Sequence, residues 1–297
     1  MGIRHILQFE KPPSTSRMFL RILAAGKPAW VGEGDQVPRI EAVLASAVVD
    51  PRRLARYNAV TGAPATEWLP IAYPHVLAAP LHLAVFSARA FPVRSLGLVH
   101  VRNVIAQRRP LRWDESFQLR CSVEGHRELE RGQEFDLHTA LIAGGVQVWH
   151  ETATLLARSR TLASGNRVGR AAVPERTVAA YTPVKAVTLQ ASANIGRRYA
   201  AVSADFNPIH LSVLTARLFQ FRRAIAHGMW SLARCASEIG ADRQSGEQVL
   251  DVTFRRPIFL PATLALQRSA SDGDCEFSLR DVRNEKPVLT GTLRVSR

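Results

Sequence analysis

Residues 199–229 read YAAVSADFNPIHLSVLTARLFQFRRAIAHGM. Asn207 precedes Pro208, and the residue before a proline avoids helical conformation, whereas proline itself suits the first turn of a helix. Asn207 is therefore predicted to cap the helix that follows. Asp205 then lies on the approach to this helix and His210 in its first turn, close enough to hold one water molecule between them. Two groups that exchange protons with one small molecule are what general acid–base catalysis requires.

A second helix is predicted where this stretch ends. Apolar residues recur there at the spacings of a helix with one buried face. They are Ile225, Met229, Leu232, Ala236 and Ile239. Gly228 lies in the first turn of this helix, where bare backbone N–H groups and the positive end of the helix dipole can polarise a carbonyl oxygen. His227 is expected to stabilise the turn before Gly228 rather than to transfer a proton. The helix after Asn207 is expected to cover residues 209–219.

The whole stretch resembles the signature of the MaoC-like, or (R)-specific, enoyl thioester hydratases. That pattern runs Tyr, two residues, Val-Ser, a small residue, Asp-x-Asn-Pro-Ile/Leu-His, and later Ile-Ala-His-Gly-Met. The matching residues here are Tyr199, Val202, Ser203, Asp205, Asn207, Pro208, Ile209, His210 and residues 225–229. The departure is Ala204, where glycine is usual, and it removes no chemical group.

The resemblance implies a function and the residues that perform it. The activity is a hydro-lyase reaction that interconverts trans-2-enoyl and (R)-3-hydroxyacyl thioesters of coenzyme A or acyl carrier protein, in fatty acid or related acyl metabolism. Asp205 and His210 are the expected catalytic residues, and Gly228 N–H the expected donor to the substrate carbonyl. Asn207, Ser203 and His227 are the expected supporting residues. The alternative is a non-catalytic acyl-binding scaffold subunit, but such a protein would be expected to lose Asp205 or His210.

The first half of the chain carries a second, degraded copy of this pattern. Adding 147 to the residue numbers takes 80–83 onto 227–230, 108–111 onto 255–258 and 117–119 onto 264–266; adding 142 takes 57–61 onto 199–203. We interpret this as an ancient duplication. Ala63, Ala65 and Trp68 stand where Asp205, Asn207 and His210 stand in the second copy. The first copy therefore lacks the acid–base groups and is expected to pack against its twin and line an acyl pocket.

Each copy continues from a helix into strand-like segments. These cover residues 98–105, 115–123, 135–143 and 146–157, and then 248–254, 262–269, 276–282 and 288–295. Helix first and antiparallel strands afterwards, twice over, predicts an α+β chain in which sheets wrap around central helices. MaoC-like hydratases have the hot dog fold, so the resemblance implies a double hot dog.

The predicted domains follow from this repeat. Residues 1–56 form an arm that is irregular to residue 38, followed by a helix over 39–55. Residues 57–158 form the degenerate unit, with its helix over 81–91; 159–182 are the linker, and 183–297 the catalytic unit. Structural roles are favoured for His75 and His82, which lie near the helix of the first unit.

Composition limits the partners and the location. The net charge is +14 and the isoelectric point about 10.9. Arg222 and Arg223 are the predicted contacts for the phosphates of coenzyme A or for an acidic carrier protein. Nucleic acid is not favoured, because no long basic run and no helix-turn-helix or zinc pattern is present. The apolar run at residues 18–25 is too short to span a bilayer.

The spacing of histidines and cysteines bears on cofactors and location, and the duplication bears on the oligomeric state. No metal-ligand spacing such as HExxH appears, so neither a metal nor a redox cofactor is expected. Three cysteines lie far apart in the sequence, which favours a reducing, cytoplasmic setting. A homodimer is left open, because a duplicated chain already supplies the pairing that single-unit relatives obtain by dimerising.

Overall fold

The computed structural model describes residues 4–158, 186–243, 246–269 and 274–296. Its strands are β1 (Arg4–Phe9), β2 (Arg39–Ala47), β3 (Val99–Gln107), β4 (Phe117–Val123), β5 (Arg127–Leu129), β6 (Gly132–Ala143), β7 (Val146–Arg158), β8 (Val187–Ala191), β9 (Glu247–Phe254), β10 (Ala262–Arg268), β11 (Cys275–Asp281) and β12 (Pro287–Ser296). Its α-helices are α1 (Thr15–Ala24), α2 (Pro51–Thr61), α3 (Tyr73–Ser87), α4 (Ile195–Ser203), α5 (Val213–Arg217) and α6 (Gly228–Ile239), and Pro208–His210 and Ala241–Arg243 form 3₁₀ turns.

The strand order shows the duplication directly. Along the sheet the strands run β1-β2-β4-β6-β7-β3-β9-β12-β11-β10-β8, and β5 pairs with β6. The order β2-β4-β6-β7-β3 in the first half returns reversed as β9-β12-β11-β10-β8 in the second. The halves join where β3 and β9 pair antiparallel, with Asn103 opposite Val252. The predicted α+β double hot dog fold is confirmed.

Alternating burial explains why the predicted strands formed. In β4, Phe117, Leu119, Cys121 and Val123 are fully buried, while the residues between them are partly or fully exposed. A period of two places one face of a strand on the core. The eight segments predicted as strands are all strands in the structure, with ends shifted by three residues or fewer. The core of the molecule lies between this inner face and the helices α3 and α6.

The helix predicted over residues 39–55 is wrong. Residues Arg39–Ala47 form β2, which pairs in parallel with β1 and antiparallel with β4. Ile40, Ala42 and Leu44 alternate inward and are buried, so their strand pairing outweighed the weak helical spacing. The helix starts later, at Pro51, because Asp50 caps it: the Asp50 carboxylate accepts a hydrogen bond from the Arg52 N–H.

Three other local predictions need correction. The arm before residue 38 is not irregular, because it contains β1 and α1, and α1 packs its buried residues Met18 and Ile22 toward the core. Helix α3 begins at Tyr73 rather than 81 and ends at Ser87, so it contains Pro80. The helix predicted over 209–219 is broken into a 3₁₀ turn and α5, because the Ser212 side chain caps a new helix start.

The predicted linker at residues 159–182 lies outside the described residues, so the domain boundaries stay predictions.

No helix among the described residues is both long and apolar enough to cross a membrane.

Candidate active site

The loop that carries Asp205 is held from both sides. Helix α4 ends at Ser203 because Ala204 adopts a left-handed conformation with φ 63°. The Ser203 hydroxyl accepts a hydrogen bond from Asp205 N–H at 3.2 Å, and Asp205 Oδ1 accepts one from Asn207 N–H at 3.1 Å. Asn207 Oδ1 in turn accepts the N–H of Ile209 at 3.4 Å, which is the predicted cap. Ser203 and Asn207 therefore fix where the Asp205 carboxylate lies.

His210 is a neutral imidazole with a known tautomer. Its Nδ1 lies 2.9 Å from the carbonyl oxygen of Ile225. Because a carbonyl can only accept a hydrogen bond, Nδ1 carries the proton and Nε2 keeps a free lone pair. Burial, together with the neighbouring His227, lowers the pKa of His210 to about 3. Nε2 is therefore a hydrogen-bond acceptor across the ordinary pH range.

His227 links the two predicted catalytic residues. Its Nε2 donates to the backbone carbonyl of Asp205 at 3.0 Å and lies 3.7 Å from Asp205 Oδ2. Its ring stacks on that of His210, with centroids 3.7 Å apart. Burial lowers the pKa of His227, although the Asp205 carboxylate opposes this. The His227 ring therefore orients both Asp205 and His210.

The Asp205 carboxylate is open to solvent, since its side chain is 53% exposed. Burial raises the pKa of Asp205, but His227, His210 and the Asn207 N–H outweigh that effect and the pKa is lowered. One carboxylate oxygen of Asp205 and one ring nitrogen each of His210 and His227 lie within 4.8 Å of one another. The site thus offers an ionised carboxylate and a neutral imidazole, and both are acceptors that a single water can bridge with its two hydrogens.

Gly228 is the first residue of α6. The first N–H groups of a helix have no intrahelical partner, and the His227 side chain does not cap this helix. A Cβ atom at Gly228 would lie 3.1 Å from the Phe254 ring, so glycine keeps the Phe254 ring and the helix start close together. The role of the Gly228 N–H as the donor to a thioester oxygen stays a prediction.

The first half of the chain holds α6 in place. Trp230 Nε1, Arg234 Nη1 and Ser237 Oγ donate hydrogen bonds at 3.0, 2.9 and 2.6 Å to backbone carbonyls at the end of α2. The acceptors are the carbonyls of Val60, Thr61 and Gly62, which have no partner within their own helix. The sequence offered no signal for this contact, because it joins residues 170 to 175 positions apart.

Arg222 and Arg223 lie just before this site. Their guanidinium carbons are 4.5 and 5.9 Å from the centroid of the Phe259 ring, which is within cation–π range. Arg222 is exposed and Arg223 partly buried. Both can therefore turn toward an anion at the surface, but the structure does not bring them into contact with Asp205 or His210.

Among the residues that the structure describes, two groups of side chains come close enough to hold a metal ion. The first is Asp205, His210 and His227, and the second is His75, His82 and Glu151; in each group the ligand atoms lie within 4.8 Å of one another. Neither group could be recognised in the sequence, because its spacing matches no metal motif. The expectation of no metal remains a prediction.

Comparison with known proteins identifies the family. A family model described as "MaoC like domain" matches residues 171–292. The 3-hydroxyacyl-thioester dehydratase X of Mycobacterium tuberculosis is 34% identical over 282 residues, which cover 95% of this chain and 98% of that protein. The chain belongs to the MaoC-like dehydratase family. The predicted resemblance is confirmed.

Other MaoC-like proteins match in sequence or in fold. The (R)-specific enoyl-CoA hydratase of Aeromonas caviae is 27% identical over 100 residues, which cover 33% of this chain and 68% of that protein. The crystal structure of HtdX of Mycobacterium tuberculosis superimposes with a TM-score of 0.74 at 30% identity, covering 86% of this chain and 100% of that one. The MaoC-like chain therefore shares its fold with HtdX over nearly all of the latter's length.

Proposed function

We propose that this chain is an (R)-specific hydratase and dehydratase that interconverts trans-2-enoyl and (R)-3-hydroxyacyl thioesters. The observation that carries the proposal is a pair of acceptors, the Asp205 carboxylate and the His210 imidazole, which lie with His227 in one group of side chains directly before the first residue of α6. The family supports it, because the dehydratase and hydratase relatives named above are hydro-lyases of acyl thioesters. The enzyme is accordingly a hydro-lyase.

Gly228 supplies the electrophilic part of the mechanism. The thioester carbonyl accepts a hydrogen bond from Gly228 N–H, and the helix dipole adds positive potential at the same point. Electron density moves from the C2–C3 double bond toward the carbonyl oxygen, so that C3 becomes open to attack by water. Because water supplies both the hydroxyl at C3 and the proton at C2, and no electrons are gained or lost, the reaction needs no redox cofactor.

Asp205 and His210 divide the handling of the water. Both accept one hydrogen bond from it, which orients its oxygen toward C3. Asp205 takes the proton, because this removes one negative charge from the site as the enolate gains one, whereas protonation of His210 would leave two anions and a new cation there. Asp205 then delivers a proton to C2. Dehydration is the same sequence reversed.

Hydration of crotonyl-CoA tests the proposal through the loss of absorbance of the conjugated thioester. We expect Asp205→Asn to lower kcat by about 10³-fold and His210→Gln by about 10²-fold, in the range of general acid–base catalysis. His138→Gln, at an exposed position on β6, is the matched control. Near-normal hydration by either site variant would contradict the assignment of roles. Binding of the substrate without any absorbance loss would instead favour a scaffold protein.

The carrier and the location are further proposals. Arg222 and Arg223 lie where they can meet the phosphates of coenzyme A or of a phosphopantetheine arm, so Arg222→Ala with Arg223→Ala should raise KM and leave kcat nearly unchanged. Parallel assays with enoyl-CoA and enoyl carrier protein compare the two carriers. A cytoplasmic location follows from the cysteine usage alone.

A further inference from the structure

A second polar cluster is buried in the first half of the chain. It joins α3 to the inner faces of β3, β6 and β7, and its members are His75, His82, His100, Asn103, Thr139 and Glu151. Glu151 and Asn103 are fully buried. A buried carboxylate is retained only when paired and hydrogen-bonded. The proposed reaction does not use any of these side chains.

Glu151 is satisfied by two donors. His75 Nδ1 lies 2.9 and 2.8 Å from its two oxygens, and Asn103 Nδ2 donates to Oε1 at 2.6 Å. Burial lowers the pKa of His75, but the charge and hydrogen bond of Glu151 outweigh this and the pKa is raised. His75 and Glu151 therefore form a buried ion pair whose total charge is zero.

The other edge of the His75 ring is free. Among the described residues, no protein atom accepts a hydrogen bond from His75 Nε2, and this nitrogen is not enclosed. The side chain is 19% exposed, whereas Glu151 is fully buried. Since the Nδ1 edge faces Glu151, the exposed part of the ring is the edge that carries Nε2–H. A charged donor at that position requires an acceptor.

This edge lies in the region of the candidate active site. The ring of His100 stacks 6.3 Å from that of His75 and lies 4.9 Å from the ring of Phe254. Phe254 packs against Gly228. His75 also contributes, as the smallest cause, to the lowered pKa of Asp205. The rings of His100 and Phe254 thus connect His75, in the first half, to the start of α6 in the second half.

We propose that His75 Nε2–H, held by Glu151, binds a neutral oxygen atom on the acyl chain of the substrate, so that the enzyme prefers hydroxy- or keto-substituted enoyl thioesters. This rests on the proposed function. An unsubstituted hydrocarbon chain would leave the donor unpaired, which is unfavourable in a desolvated pocket. A carboxylate is disfavoured, because the His75–Glu151 pair has no net charge and Asp205 adds a negative charge nearby.

The test compares matched substrates. Wild-type enzyme is assayed with trans-2-octenoyl-CoA and trans-2-hexenoyl-CoA, with their keto derivatives at C5 or beyond, and with a terminal carboxylate derivative. A hydrogen bond to a charged donor is typically stronger than one between neutral groups. We therefore expect kcat/KM for at least one keto derivative to exceed that of its parent about tenfold. His75→Leu should lower this ratio toward one, and His75→Gln, which keeps an N–H donor, should retain part of it.

Controls separate this role from the alternatives. His138→Leu, on the exposed face of β6, should keep the wild-type ratio. Equal losses for keto and parent substrates in His75→Leu, no preference in the wild type, or preference for the carboxylate would each overturn the proposal. So would a stoichiometric metal ion in the purified protein that Glu151→Gln releases, because a metal would replace the hydrogen bond between His75 and Glu151. Absence of any hydration of the parent substrates would count against the proposed function instead.

Discussion

The two halves of this chain build the same sheet and differ at the points where chemistry takes place. Helices α2 and α4 occupy equivalent positions, and both end in a left-handed residue, Gly62 with φ 73° and Ala204 with φ 63°. After that residue the first half has Ala63, and the second has Asp205. The backbone of the repeat is therefore retained, while the acid–base groups are present in one copy.

Two glycines of the second half, Gly196 and Gly228, mark further points at which the two copies differ. A Cβ atom at Gly196 would lie 2.0 Å from the carbonyl oxygen of His210, and one at Gly228 would crowd Phe254. The equivalent residues in the first half are Leu54 and Leu81, both buried. The second half thus has glycine beside the turn that carries His210 and at the start of α6. The first half has buried leucine side chains at the same points, and its α2 accepts hydrogen bonds from α6.

Copying Leu81 into the second half should have the largest effect. Gly228→Leu places a side chain against Phe254 and over the helix start, so we expect kcat/KM to fall by about 10³-fold, the upper range for loss of one oxyanion donor. The measurement is hydration of crotonyl-CoA. Met229→Leu, a volume-conserving change at the next buried position, should keep most activity. An active Gly228→Leu enzyme would show that the carbonyl binds elsewhere.

Gly196→Ala should have the next largest effect. The added Cβ must displace the backbone of His210, and misplacement of a catalytic group by about 1 Å can lower the rate by about 10²-fold. We expect a loss of kcat of ~10- to 100-fold. Ala201→Gly, at an exposed position of α4, weakens the same helix by about 1 kcal/mol without touching His210. If that control loses as much activity, destabilisation of α4 and not displacement of His210 is the cause.

The pH dependence of stability should be similar in both halves. Burial, the largest cause in each case, lowers the pKa of His82 to about 3, of His100 to about 4 and of His210 to about 3. Between pH 4 and about 6.5 the unfolded chain therefore binds more protons, so the free energy of unfolding falls on acidification. Each histidine contributes up to about 1.4 kcal/mol per pH unit. Denaturant titrations from pH 4.5 to 6.5 should show a smaller slope in both His82→Leu and His210→Gln.

His75 and Glu151 depend on pH in opposite directions. The raised pKa of His75 adds stability that is present below about pH 6.5 and is lost as the pH rises through its folded value. The pKa of Glu151, raised by burial but lowered more strongly by His75, is about 2, so its contribution is present above about pH 4.5 and is lost toward pH 2. If the free energy of unfolding of His82→Leu depends on pH between 4.5 and 6.5 as steeply as that of the wild type, the His82 ring is not neutral in the folded protein.

The smallest expected effect concerns the two left-handed residues. Ala204→Gly should raise the free energy of unfolding by about 0.5–1 kcal/mol, because glycine adopts a positive φ without strain. Gly62→Ala should be destabilising by more than that, since its Cβ would meet the Arg234 guanidinium that binds the end of α2. Thermal and denaturant unfolding measure both. A destabilised Ala204→Gly would mean that the Ala204 side chain makes a favourable contact that glycine lacks.

Local patterns predicted most of the sheet and the catalytic loop. Strands such as β4 and β10 alternate between buried and more exposed residues, and Asn207-Pro208 marks a helix start, so both could be identified from short windows. β2 was mistaken for a helix because apolar residues at 40, 43, 44 and 47 also satisfy a helical spacing. Its strand character comes from β1 and β4, which are its neighbours in space. The hydrogen bonds that join His75 and Asn103 to Glu151 could not be predicted, because the three residues lie far apart in sequence.

The sequence alone determined the family, the duplicated hot dog units and the choice of Asp205, His210 and Gly228 as candidate site residues, because these depend on residue type and spacing within short segments. The tertiary structure decided three further matters. It set the tautomer of His210 through the Ile225 carbonyl, it attached α6 to the end of α2, and it paired His75 with Glu151. Each of these depends on hydrogen-bond partners that only folding brings together, since burial makes an unpaired polar group unfavourable.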